Sequence, residues 1–109
     1  MTRRAWVFTL VVAVQLVVLY APRAPSTGGV PGLDKVVHLL VFGCVVAAGL
    51  RAAAPLVLVL AVSVVQAPVS ELLQAAVLTN RSGDPLDVVA DLAGCALGWW
   101  VARRVMMGR

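Results

Sequence analysis

Charge is scarce in this chain. Only 13% of its 109 residues are Asp, Glu, Lys or Arg, and there is a single histidine. A soluble globule keeps far more polar surface than that, so composition alone excludes one. Cysteine is scarce too: Cys44 and Cys95 lie in apolar stretches with no CxxC or Cys/His spacing, which removes zinc-finger and dithiol redox classes. Both read as small apolar fillers, and no disulfide is expected between them in mid-bilayer. Aromatics reach only 6%, and the basic residues form no stripe interleaved with rings. A pI near 10.1 therefore does not mark a nucleic-acid binder.

What the chain has in abundance is hydrocarbon: 61% hydrophobic residues and a mean hydropathy of +0.98. Four apolar runs at 5–21, 36–53, 55–78 and 86–105 are long enough to cross a bilayer. The first has Gln15 as its one strongly polar member, in mid-span. Thr2-Arg3-Arg4 resembles the basic start of a signal peptide, but the run is long, Pro22 follows at once, and more spans come later. It reads as a retained signal anchor. Residues 22–33 hold three Pro and three Gly and form a loop, and Thr79 to Pro85 form a tight polar turn. Pro68 interrupts the third run, where a kink is expected near Val64, whose carbonyl loses its donor. These runs are apolar around most of the helix, which rules out a soluble bundle. The expected fold is all-α: a single polytopic membrane domain over residues 1–109, built as a four-helix transmembrane bundle.

An even number of spans puts both termini on one side, together with the turn at Arg51. That side carries Arg3, Arg4, Arg51, Arg103, Arg104 and Arg109, against Arg23, Lys35 and Arg81 on the other. The positive-inside rule then places both termini in the cytoplasm of a multi-pass cell-membrane protein.

All five acids and the histidine fall near the opposite face, in or beside three stretches. Asp34-Lys35-Val36-Val37-His38 opens the second span, with Asp34 suited to an N-cap and His38 one turn deeper on the same face. Ser70-Glu71-Leu72-Leu73-Gln74 closes the third span; Ser63, Gln66, Ser70 and Gln74 make a polar stripe that suits helix-to-helix hydrogen bonds. Glu71 would lie roughly 10 Å below the membrane edge, where an unpaired carboxylate is costly. Asn80 to Asp87 leads into the fourth span, with Asp84 before Pro85 as N-cap and Asp87 in the first turn. Asp91, a turn deeper, shares its face with Asp87, Gly94 and Gly98, and the glycines form a seam for close helix contact. His38, Glu71 and Asp91 would thus surround a polar pocket with Lys35 and Arg81 at its rim. One histidine and scattered acids match no recognised metal spacing, so no metal and no cofactor is assigned. His38 with Glu71 and Asp87 or Asp91 would be the set to hold a divalent ion.

The order Asp-Lys-x-x-His, then Glu-x-x-Gln, then Arg with following acids and a Gly-rich helix resembles the VanZ-like family of bacterial membrane proteins. The matching positions are Asp34, Lys35, His38, Glu71, Gln74, Arg81, Asp84, Asp87 and Gly94. The chain departs from the family pattern at Ser70, where Asp is common, and at Asp91, where Asn is common. The resemblance implies a link to teicoplanin susceptibility, through an antibiotic that acts on cell-wall precursors outside the membrane.

The leading expectation is a binding protein for an anionic lipid or lipid-linked envelope precursor, with Lys35, Arg81 and Gln74 on the phosphate-bearing head group. The alternative is a membrane-embedded hydrolase or transferase acting on a head group, with Glu71 or Asp91 as general base and His38 as proton partner. An ion pathway fits less well, because the inner halves of the spans offer few polar groups. Nucleic acid is no partner, and the small-residue seams would also suit a homo-oligomer. Reporter fusions at each terminus should both report a cytoplasmic location; external signals from both would reverse the bundle, and from one alone would contradict four spans.

Overall fold

Each apolar run folds into one helix, with ends that differ from the sequence expectation by a turn or less. The computed structural model describes residues 1–21, 32–77 and 84–107. Its elements are α1 (Arg3–Tyr20), α2 (Leu33–Arg51), α3 (Leu56–Ala76) and α4 (Pro85–Met107). No strand occurs among the described residues. Most of the loop expected at 22–33, most of the turn at Thr79 to Pro85, and Arg81 itself lie outside them.

The helix starts follow local chemistry. Thr2 accepts a hydrogen bond from the Ala5 N–H, so the first turn of α1 is capped by a hydroxyl. The cap of α2 is Gly32, in the left-handed region at φ 78°, a backbone that glycine adopts without strain. Asp34 therefore stands inside the first turn, where its charge favours the helix dipole, and is not the N-cap. Pro55 caps α3, and the helix runs on through Pro68 without a break in assignment.

All four helices are long and apolar enough to cross a membrane. Their outward faces carry large apolar side chains such as Leu10, Val57, Val62, Leu72 and Val89. In water this surface would be a liability; in a bilayer it is the required one. Arg4, Arg51, Val105 and Met106 line a common cleft, so the chain termini and the α2–α3 turn share one end of the bundle. There Arg103 lies over the Trp99 ring and Arg104 over Trp100, at 5.2 and 5.1 Å from the ring centres. Such aromatic and basic pairs suit the membrane–water boundary.

The closest approach in the bundle is between α2 and α4. A Cβ added to Gly94 would run into the carbonyl oxygen of Leu39, and one added to Gly98 into that of Gly43. The backbones touch because neither glycine has a side chain, as in other small-residue membrane seams. Beneath the polar end, Leu19, Phe42, Val46, Val59, Ala67 and Cys95 form the buried apolar cluster. Cys44 is exposed and Cys95 buried, and both are free thiols.

The seam makes a direct test. Gly94→Val should lower thermal stability in detergent by about 1–3 kcal/mol, the usual cost of overpacking. Ala96→Val, on the exposed face of the same helix, should leave it unchanged.

Candidate functional site

The end of the bundle opposite the termini gathers every acid in the protein. Two linked groups of side chains form there.

The outer group is built around Lys35, on the first turn of α2. Its ammonium lies 2.7 Å from Asp84 Oδ2, 3.2 Å from Asp87 Oδ1 and 3.3 Å from Asp34 Oδ2. A lysine ammonium has three N–H donors, and here three carboxylates take them. Asp84 also accepts from the Leu86 N–H at 2.9 Å, which closes the N-terminus of α4. The Lys35 ammonium, with the Leu86 amide, holds the Asp84 carboxyl below its ordinary value.

The inner group sits one turn deeper and is enclosed. His38, Glu71, Asp87 and Asp91 are 5, 6, 5 and 0% exposed. His38 Nδ1 lies 2.8 Å from Asp91 Oδ1 and 3.9 Å from Glu71 Oε1, while Nε2 lies 3.5 Å from Asp87 Oδ2. Both ring nitrogens thus face carboxylates. Glu71 is oriented from its other oxygen: Oε2 accepts the Asp84 backbone N–H at 2.8 Å. Asp87 joins the two groups, with one oxygen toward Lys35 and the other toward His38.

Helix registry accounts for this convergence. His38 is three residues beyond Lys35 on α2, and Asp91 is four beyond Asp87 on α4, so each helix presents an outer and an inner member on one face. The α2–α4 glycine seam, one turn below, brings the two faces together. From α3, Glu71 arrives at the inner layer.

The polar stripe on α3 does separate work. Gln74 donates from Nε2 to the Leu19 carbonyl at 2.8 Å, and Gln66 donates to Gln15 Oε1 at 2.7 Å, so both glutamines bind α3 to α1. Gln74, expected at the head-group site, spends an amide hydrogen on this helix contact. Ser70 is fully buried and donates back to the Ala67 carbonyl of its own helix. Gln15 stands out in the sequence as the strongly polar residue of the first run, but its partner cannot be read without knowing which helices touch.

Chemically, the inner group can exchange a proton between an imidazole and a carboxylate, or coordinate a cation. The outer group is acidic in balance: Lys35 is one positive charge among Asp34, Asp84 and Asp87. A cleft of 610 Å³ opens at the terminal end instead, lined by Arg3, Arg4, Arg51, Cys44 and apolar residues of α1 and α2.

A family model described as VanZ/LLP1 matches residues 2–107. No curated protein and no solved structure matches the chain.

The Lys35 arrangement predicts a double-mutant result. Lys35→Met leaves three carboxylates facing one another and should lower the thermal midpoint. Adding Asp87→Asn should restore roughly half of the loss or more, as expected for directly coupled residues. Additive losses would mean that the pair does not interact.

Proposed function

The chain belongs to the VanZ/LLP1 family, and we propose that it binds the head group of an anionic lipid or lipid-linked envelope precursor at the outer leaflet. The observation that supports this reading is the gathering of ionisable side chains from three helices at one end of an otherwise apolar bundle. Buried ionisable groups in a membrane protein are costly to keep, and binding or catalysis is what usually retains them. The outward orientation rests on the arginine-rich terminal end facing the cytoplasm.

In this reading, phosphate is met by Lys35 and by Arg81, which lies between α3 and α4 in the sequence. Lys35 reaches a ligand by exchange. Asp34 is half exposed and 3.3 Å away, so it is the carboxylate that a phosphate oxygen displaces most easily. Asp84 and Asp87 keep the ammonium aimed at the rim. Glycopeptide susceptibility of the teicoplanin type would follow if the bound molecule were the cell-wall precursor those drugs engage.

The 2.8 Å approach of His38 to Asp91 favours a second reading, a hydrolase or transferase acting on the same head group. Its general base would be Asp91 or Glu71, with His38 carrying the proton.

Lipid mass spectrometry on purified protein tests both. Wild type should retain a phosphate-bearing lipid that an Arg81→Ala, Lys35→Gln variant, purified well below its own thermal midpoint, loses at least about tenfold, a 1.4 kcal/mol effect. An unchanged lipid profile would refute the head-group reading. Turnover of the retained lipid that stops in His38→Gln would select the enzyme.

A further inference from the structure

We infer that His38, Glu71 and Asp91 form a buried site for one divalent transition-metal ion. One ligand atom from each lies within 4.8 Å of the others. The site deepens the head-group reading only in its last step; the metal centre itself stands on the geometry of these three side chains.

Unused ligand capacity points to the ion. Glu71 Oε1 and Asp91 Oδ2 are buried and have no hydrogen-bond partner among the described residues. Buried carboxylate oxygens are normally satisfied, since leaving one unpaired forfeits its hydration for nothing. Both belong to residues at least nine-tenths buried, and Glu71 Oε1 is turned to the imidazole, 3.9 Å from Nδ1.

The histidine is arranged as a ligand. Metal-bound imidazoles usually donate their second N–H to a carboxylate, which fixes the tautomer and turns the free lone pair to the metal. Asp87 Oδ2 stands 3.5 Å from Nε2, in the place that such a carboxylate takes. Nδ1 then faces the Asp91 and Glu71 oxygens. At 2.8 Å, Nδ1 and Asp91 Oδ1 share one hydrogen, which a bound ion would displace.

Charge and size agree. A neutral imidazole and two carboxylates neutralise a dication. Ligand atoms about 2.0–2.2 Å from a zinc ion lie roughly 3.3–3.6 Å apart in a tetrahedron. The observed separations of 2.8 and 3.9 Å bracket that range. The mixed nitrogen and oxygen set suits Zn²⁺ first, with Mn²⁺ a weaker competitor. Three protein ligands leave a fourth position for water or, on the head-group reading, for a phosphate oxygen.

The neighbouring trio of Asp34, Asp84 and Asp87 also brings its oxygens close together. The Lys35 ammonium already serves as its cation, which leaves the inner group as the metal site.

The test uses the full chain in detergent, with any affinity tag removed, stripped by chelator and dialysed against Zn²⁺ alone. About one ion per chain should bind. Glu71→Gln and Asp91→Asn should each weaken binding at least about tenfold, whereas Asp34→Asn should leave it unchanged. His38 is the only histidine in the chain, so an imidazole signature in the zinc X-ray absorption spectrum identifies it directly, even if one variant fails to fold. Absence of binding at millimolar Zn²⁺, binding without imidazole, or binding lost in Asp34→Asn but kept in Glu71→Gln would each overturn the proposal. The readout is the ion and its imidazole ligand and not the lipid, so failure here is distinguishable from failure of the head-group reading.

Discussion

Asp91 is fully buried in a helix apolar enough to cross a membrane, and the polar end of this bundle is organised around that fact. A carboxylate there has no bulk water to hydrate it, so protein groups or a cation must take that role. His38 supplies the nearest one at 2.8 Å. That imidazole is in turn bracketed by Glu71 and Asp87, and Asp87 is held by Lys35. Each partner introduced to satisfy one charge brings its own demand, until the chain of contacts ends at exposed Asp34 and the capping Asp84. A network of this kind holds together as a unit: removing any one member leaves a buried partner unsatisfied.

The network depends on packing that contains no charge. The 2.8 Å contact between α2 and α4 requires backbones close enough for a histidine and an aspartate to meet without a long reach. Gly94 and Gly98 provide it by letting the carbonyls of Leu39 and Gly43 into the space that a side chain would fill. Seam and site are consequently one device. The glycines of α4 start three residues beyond Asp91, on the same helical face, so any drift of α4 that relieved the seam would also pull Asp91 from His38.

Much of this was legible beforehand. Apolar run length and proline–glycine punctuation located the four helices, and three- and four-residue spacing put Asp91 with the glycines and His38 near the edge. Period and depth are properties of one helix, and a sequence reveals them. Partner choice is a property of two, and that is where the reading stopped. Lys35 is expected at a phosphate, and nothing in the sequence alone pairs it with Asp84 and Asp87 of α4, whose carboxylates it also meets. The polar stripe on α3 marks Gln74 for a helix-to-helix hydrogen bond as well as for a ligand, but only the packing shows that its amide reaches Leu19 on α1. Asp34 looked like a cap because it precedes an apolar run, but Gly32 can take the left-handed cap geometry and the helix starts earlier.

The floor of the inner group bears on what kind of function this architecture permits. One helical turn from His38 is Phe42, one turn from Glu71 is Ala67, and one turn from Asp91 is Cys95. All three are buried members of the same apolar cluster. The ionisable layer therefore rests on a hydrocarbon layer, with buried Ser63 of α3 one turn beyond it. A proton or ion that reached Asp91 from the open end would find no next acceptor at that depth. The three ionisable side chains are thus approached from the polar end of the bundle and backed by hydrocarbon. The apolar floor also keeps the local dielectric low, so a charge brought to His38, Glu71 and Asp91 is felt there more strongly than it would be in water.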